Sequence, residues 1–256
     1  VKHLVLPDVQ AKEGIDFSYL TKIGKYIVEK KPDKLICLGD FADMPSLSSY
    51  DVGKKSFEGR RYVKDIAASQ AAMRAMFDPL WTFNAKARKN KEKQYYPEQI
   101  FLLGNHENRI NRAINDDPKL EGVLSIDDLG YENFGWKVIP FLDVSVIDGI
   151  AYSHYFVTGL AGRPAATASA QLQKAKMSCI AGHQQGLQIN TSYRGDGVRL
   201  TSIIAGSCYE HNEDYMSSQG NRHWRGFLML HDVKDGEFDF MNVSLDYINK
   251  KYASTS

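Results

Sequence analysis

The sequence predicts an α/β protein, and three observations predict it. Short apolar runs recur along the chain, a helical stripe separates the first two, and paired apolar runs flank tight turns later on. The runs 3–6, 35–38, 100–103 and 178–181 are continuous and apolar, the pattern of strands buried on both faces. Between the first two, Phe17, Leu20, Ile23, Ile27 and Val28 form one stripe at helical spacing. Asp16 is placed to cap that helix, and Lys31, which precedes a proline, to end it. Strand, helix, strand opens a sheet with a right-handed crossover.

Residues 62–94 are helical in character, with Val63, Ile66, Met73, Met76, Phe77 and Leu80 among the apolar positions. Pro79 either kinks this segment or opens a second helix. The Lys/Arg run 86–93 falls at its C-terminal end, where cations complement the helix dipole. Residues 45–98 therefore read as a mainly helical insertion within a single domain spanning 1–256, placed beside the mouth of the site. The later part reads as antiparallel. Runs 144–147 and 150–152 flank Asp148-Gly149, 187–193 and 198–204 flank residues 194–197, and 227–233 and 238–243 flank Asp235-Gly236. Pro164 and the Ala-rich stretch to Lys176 read as a helix with proline in its first turn.

Of the 256 residues, 43% are hydrophobic and 25% charged, values of a folded soluble chain long enough to need no disulfides. The three cysteines, Cys37, Cys179 and Cys208, lack metal-type spacing, so reduced thiols in a cytoplasmic compartment are expected. No apolar stretch approaches bilayer length, and the first residues read as a strand and not a leader, so no membrane partner is expected. Net charge is +1, but residues 51–98 carry eleven Lys or Arg against six Asp or Glu. Such a basic face either attracts a nucleic acid or is a solvated helical surface.

The chemistry lies in what ends the runs. Pro7 leads to Asp8, Gly39 to Asp40, Gly104 to Asn105 and His106, Ser153 to His154, and Gly182 to His183. Each alone is an ordinary turn, loop or structural histidine. Five metal-competent side chains at five carboxyl ends, where open α/β sheets place their ligand crevice, point instead to one metal site. The glycines at 39, 104 and 182 are expected to let the chain turn tightly before each ligand.

The order Asp8-x-Gln10, Gly39-Asp40-x-x-Asp43, Gly104-Asn105-His106-Glu107, His154 and Gly182-His183-x-Gln185 resembles the calcineurin-like metallophosphoesterase superfamily. Its motifs run Asp-x-His, Gly-Asp, Gly-Asn-His-Glu/Asp, His and Gly-His-x-His, and the resemblance covers residues 1–185. The overall cast also resembles phosphoesterases encoded by bacteriophages, which implies the host cytoplasm. The implied fold is a four-layered α/β/β/α sandwich of two mixed sheets. Two metals would lie between loops at one edge, about 3.5–4 Å apart, polarising phosphoryl oxygens and activating water. By this resemblance Asp40 bridges them, Asn105, His154 and His183 hold one, and Asp8 with residues 10 and 185 holds the other. His106 faces the leaving group as general acid or cationic stabiliser, and Asp43 holds His106.

Two departures matter. Gln10 and Gln185 stand where the family has histidines, offering neutral, weaker oxygen donors. Oxygen-rich sites favour harder ions, so one or two divalent ions are expected, Mn²⁺ foremost, with Mg²⁺, Fe or Zn²⁺ as the others. Met44 follows Asp43 where phosphoprotein phosphatases carry arginine, which argues against that activity. Arg109 and Arg163 are the candidate phosphate-binding cations. His211 and His223 lie in a polar loop, 206–225, within possible reach of the site. The expected substrate is a phosphoester. Three readings follow: a phosphodiesterase or nuclease on nucleic acid or nucleotide, a phosphomonoesterase, or a binding module that has kept the fold with weakened catalysis.

Overall fold

The computed structural model describes residues 1–49, 53, 57–213 and 216–253. In chain order its elements are β1 (His3–Leu6), α1 (Ser18–Lys30), β2 (Lys34–Cys37), α2 (Tyr62–Lys89), β3 (Glu98–Leu102), α3 (Arg109–Asp116), β4 (Lys137–Ile139), β5 (Ser145–Ile147) and β6 (Ile150–Ser153). There follow β7 (Val157–Thr158), β8 (Arg163–Pro164), α4 (Ala168–Ala175), β9 (Cys179–Ala181), β10 (Leu187–Tyr193), β11 (Arg199–Ala205), β12 (Gly226–Lys234), β13 (Glu237–Ser244) and α5 (Leu245–Lys251). One sheet runs β13-β12-β1-β2-β3-β4 and the other β10-β11-β9-β6-β5. Both are mixed: β1 to β4 pair in parallel while β1 meets β12 antiparallel, and β9 lies parallel to both β6 and β11. The three expected hairpins form, as β5–β6, β10–β11 and β12–β13.

Period-two alternation sets the layers. Leu4, Leu6, Leu35, Cys37 and Phe101 pack outward against Leu20, Ile23 and Ile27 of α1 and Met73, Met76 and Phe77 of α2. Val5, Ile36, Ile100 and Leu102 point the other way, onto Tyr152, Ile180 and Ile203 of the second sheet. On that sheet's far face, Leu172 of α4 packs against Ala151, Cys179 and Ala181. The result is the four-layered α/β/β/α sandwich. Each large apolar side chain so buried contributes about 1.5–3 kcal/mol. A one-residue slip of β1 would exchange its two buried sets, so its register is strongly held.

The helix boundaries show which local signals won. Asp16 does serve the first turn of α1, accepting the Ser18 N–H at 2.9 Å, although Phe17 is the residue just outside the helix. Lys31 ends it in the left-handed conformation. Pro79 opens no second helix: α2 continues through it, with Gly24 of α1 lying so close to Met76 and Pro79 that a Cβ there would overlap. The Ala-rich helix is later than expected. Thr167, whose hydroxyl accepts the Ala170 N–H, caps α4, and Pro164 belongs to the short strand β8.

The insertion also sits differently from the expectation. Only its first part approaches the strands' carboxyl ends, where Asp65 accepts the Ser46 N–H at 2.9 Å; residues 50–52 and 54–56 lie outside the described residues. Because α2 runs back down the sheet, about 40 Å at 1.5 Å per residue, its basic end leads into the amino end of β3. There Asn84 pairs with the Tyr95 backbone, and the Tyr95 hydroxyl donates to the Pro32 carbonyl just before β2. The Lys/Arg run 86–93 is therefore at the opposite end of the strands from Asp40, not at the mouth.

That opposite end is closed by a polar clamp between the sheets. The buried His3 ring reaches the Tyr152 hydroxyl and Asp148, each at 2.8 Å, and Lys34 pairs with Asp148 at 3.1 Å. Burial holds the His3 pKa below the ordinary 6.5 despite the attraction of Asp148. A base depressed in the folded state favours the folded chain above its unfolded pKa, and that contribution is lost as pH falls below about 6.5, since the unfolded chain binds the proton more readily. Urea titrations at pH 8 and pH 5.5 should therefore show the parent losing more stability on acidification than His3→Gln. Equal losses would mean that His3 does not titrate against folding.

Candidate metal centre

Five strand ends deliver the side chains: Asp8 after β1, Asp40 after β2, Asn105 and His106 after β3, His154 after β6 and His183 after β9. The first three belong to one sheet and the last two to the other, so the centre straddles both. The glycines before them have two distinct reasons. Gly39 takes φ +91°, a conformation few other residues adopt. Gly104 and Gly182 do not; a Cβ there would overlap the Asp40 and Asp8 carboxylates, so their requirement is space.

Asp40 is aimed by its neighbours. Glu107, fully buried, accepts the N–H groups of Asp40, Ala42 and Gly104, each at 2.9 Å, and fastens the β2 loop to the β3 loop. Asp40 Oδ1 accepts the His106 N–H at 2.8 Å, which leaves Oδ2 facing His154 Nε2 at 3.4 Å. His154 Nδ1 lies 2.7 Å from the Leu38 carbonyl, which fixes the proton there and turns the Nε2 lone pair inward. Asn105 Oδ1 lies 2.8 Å from His154 Nε2 and 2.7 Å from His183 Nδ1. The ligand atoms of Asp40, His154 and His183 all fall within 4.8 Å of one another, a spacing suited to one metal ion. Two imidazoles, a carboxylate and an amide oxygen are a mixed set that fits a transition-metal divalent cation.

The electrostatics favour a cation at this place. Burial opposes ionisation of Asp40, but His106 and His154 outweigh it and hold the group well below the usual carboxylate range. Asp8 is pushed up to about 7, first by burial and then by the Asp40 charge. Burial also works against a charged His154, yet Asp40 lifts it to about 9. His183 is drawn down to about 4 by burial and by His154, so it presents a neutral ring, the form that ligates. A bound divalent ion is the largest charge in such a cluster and takes over the balance that protons otherwise supply.

Asp8 Oδ1 accepts the His183 N–H at 3.0 Å. Asp8 Oδ2 and Gln10 Oε1 are buried with no hydrogen-bond partner among the described residues. Gln185 Oε1 accepts the Tyr209 hydroxyl at 2.8 Å. His106 Nδ1 lies 3.0 Å from Asp43 Oδ1, and its pKa is raised because Asp40 and Asp43 outweigh burial.

The phosphate-binding candidates fare differently. Arg109 donates to the carbonyls of Asp43 and Met44, at 2.7 and 3.2 Å, and touches His106 Nε2 at 3.1 Å. Its guanidinium is engaged in holding that loop and the His106 ring. Arg163 is exposed on β8, and among the described residues no hydrogen bond or ion pair ties its side chain to the cluster. Among the described residues of the polar loop, His223 meets the Ser207 hydroxyl and His211 meets Glu213, and neither histidine joins the Asp40, His154 and His183 cluster.

Sequence reasoning missed Lys12 and Glu213, which pair at 2.8 Å and place the Lys12 ammonium 3.4 Å from Asp43. It also assigned no task to Glu107, whose signal was available in the Gly-Asn-His-Glu motif itself. A cleft of about 550 Å³ begins at Asn108, two residues past His106, and continues along Asn111, Asn115, Leu124 and Ser125.

No sequence profile of a known family matches the chain, and no curated protein matches it. Among solved structures, the chain resembles Yfce, a phosphoesterase from E. coli, at 11% identity and a TM-score of 0.38, over 95% of this chain and 100% of that one. A second solved chain is similar at 13% identity and a TM-score of 0.44, over 95% of this chain and 99% of that one. Likenesses this distant carry no argument about activity. Among the described residues, no helix is long and apolar enough to cross a membrane.

Removing the Glu107 carboxylate strands three buried N–H groups, each worth about 1–3 kcal/mol. Glu107→Ala is thus expected to cost about 3 kcal/mol or more in urea unfolding and to weaken metal binding about 10- to 100-fold. Unchanged metal affinity in a dialysis titration would show that Glu107 does not aim Asp40.

Proposed function

We propose that this protein is a metal-dependent phosphoesterase whose substrates are phosphodiesters, nucleotides or nucleic acid among them. The observation that carries the reading is the convergence of Asp40, Asn105, His154 and His183 on one point, with the His106–Asp43 pair beside it. A divalent cation held there supplies Lewis acidity toward a phosphoryl oxygen and toward water. Manganese is our choice of ion, on the mixed nitrogen and oxygen donors.

The chain's own residues supply the rest. Asp43 holds the His106 ring by Nδ1, and the two carboxylates around it favour the protonated form. A leaving alkoxide beside His106 would take that proton or be stabilised by its charge. Arg109 fixes the loop carrying Asp43 and so keeps the pair aligned.

Diesters are favoured over monoesters because the cations near the cluster are already matched. Arg109 is spent on backbone carbonyls and His106, and Lys12 lies between Glu213 and Asp43. A monoester dianion asks for more compensating charge than a singly charged diester. The nuclease reading rests on this site alone, since the basic run 86–93 lies at the far end of α2.

With manganese supplied, bis(nitrophenyl) phosphate should be hydrolysed faster than the monoester. Turnover of the monoester alone would select a phosphomonoesterase, and metal binding without turnover a binding module. Asp40→Asn is expected to lose both metal and activity. His106→Asn should keep the metal and lose about 10²- to 10⁴-fold in kcat. An Asp40→Asn variant as active as the parent would overturn the ligand assignment.

A further inference from the structure

The α3 helix leaves the metal centre along one side of the cleft of about 550 Å³, a volume in the range of small-molecule sites. The near end of the cleft is one turn from the candidate ligand Asn105. There the Asn108 N–H donates to the Gly104 carbonyl at 3.1 Å, and the next side chain, Arg109, touches His106. Asn108, Asn111 and Asn115 line the cleft at spacings of three and four, so they share one helix face. From Asn108 to Asn115 that face extends about 10 Å at 1.5 Å per residue.

The chemistry of this cleft suits a neutral polar ligand. Asn108 stands just before α3, where a capping side chain is favoured, yet its carboxamide makes no capping bond and accepts from Asn111 Nδ2 at 3.1 Å. The Asn115 carboxamide has no hydrogen-bond partner among the described residues. No lysine or arginine lines the cleft, and the exposed Glu121 carboxylate disfavours an anion there. Ile114, Leu124 and Ile126, half-buried against the helical core, supply the apolar part of the lining. The side formed by Ser125 is held in advance. The Tyr62 hydroxyl reaches the Ser125 carbonyl at 3.1 Å and Asp128 at 2.7 Å, and the Ser125 N–H donates to Asp128 at 2.9 Å.

We infer that this cleft is a nucleoside subsite, in which the carboxamides of Asn111 and Asn115 read the edge of a nucleobase, adenine foremost, while the phosphodiester sits at the metal centre. The inference rests on the phosphoesterase reading above and narrows its substrate to a nucleotide diester. A carboxamide presents a donor beside an acceptor, the pattern that the N6 and N7 edge of adenine complements. The faces of the base pack on apolar side chains such as Ile114 and Leu124. A cleft without cations offers no track for further phosphates, so it takes one nucleoside and not a polynucleotide strand.

The test compares two singly charged diesters on the full chain with manganese, adenosine 5′-(nitrophenyl phosphate) and methyl nitrophenyl phosphate, both of which release nitrophenolate. The adenosine ester should show the lower KM. Asn111→Leu and Asn115→Leu, at exposed positions that tolerate the change, should each shrink the KM ratio between the two esters about threefold to tenfold, the reach of one neutral hydrogen bond. Calorimetry on the chain stripped with chelator should show adenosine binding, weakened by Asn115→Leu, and no binding of ribose. Equal KM for the two esters, a ratio that neither substitution moves, or a stripped chain that binds ribose as well as adenosine would overturn the nucleoside subsite. Adenosine bound by the stripped chain, with neither ester hydrolysed when manganese is restored, would keep the cleft as a nucleoside site and sink the phosphoesterase reading.

Discussion

Glu107 gathers three backbone N–H groups from two loops that belong to different strands, and the geometry of the site follows from that contact. A carboxylate is a strong acceptor in a buried setting, where unmet N–H groups are costly. Once the loops after β2 and β3 are fastened together, Asp40 Oδ1 meets the His106 N–H and Oδ2 is left to face the histidines. Tyr131 adds its hydroxyl to the same carboxylate at 3.2 Å and stacks on Phe101, so the fastening is anchored in the helical side of the core. The site is thus aimed from behind by packing.

Charge explains why that rigidity is needed. Asp8 and Asp40 are both buried, and the first cannot ionise easily while the second is charged. His154 stabilises Asp40 and in turn suppresses protonation of His183. Such a cluster is expensive to assemble out of water unless its members are held in fixed register and a cation is accommodated. The fixed register comes from the two sheets, each giving part of the ligand set, so neither sheet alone makes the site. The His3 clamp at the opposite end joins the same two sheets and opposes their separation.

The cations around the site illustrate how a surface reading changes once partners are known. Arg109 has the spacing of a phosphate clamp, yet it holds the Asp43–Met44 backbone. Lys12 carried no motif, yet it lies between Glu213 and Asp43, the carboxylate that meets His106. Its partner comes from a loop two hundred residues away, a distance that no local spacing rule spans. The basic end of α2 is displaced from the site for a geometric reason alone: a long helix returning down a parallel sheet must put its C-terminus at the strands' amino ends.

The sequence by itself determined which residues are metal-competent and where they stand, because a ligand at a strand's carboxyl end is a local pattern of apolar run, turn and side chain. It also marked the buried strands, through the continuous apolar runs 3–6, 35–38 and 100–103, and the three hairpins. Tertiary structure decided how each candidate side chain is placed and held. It showed that Gly104 and Gly182 serve close approach to Asp40 and Asp8, that Thr167 and not Pro164 opens α4, and that Arg109 is engaged. It likewise sharpened the two glutamines: Gln10 offers a buried free oxygen, whereas Gln185 has its own taken by Tyr209. The division has one physical cause. Strand ends and caps are set by neighbours in the chain, while a hydrogen bond from Tyr209 or Glu213 exists only after two sheets have closed on each other.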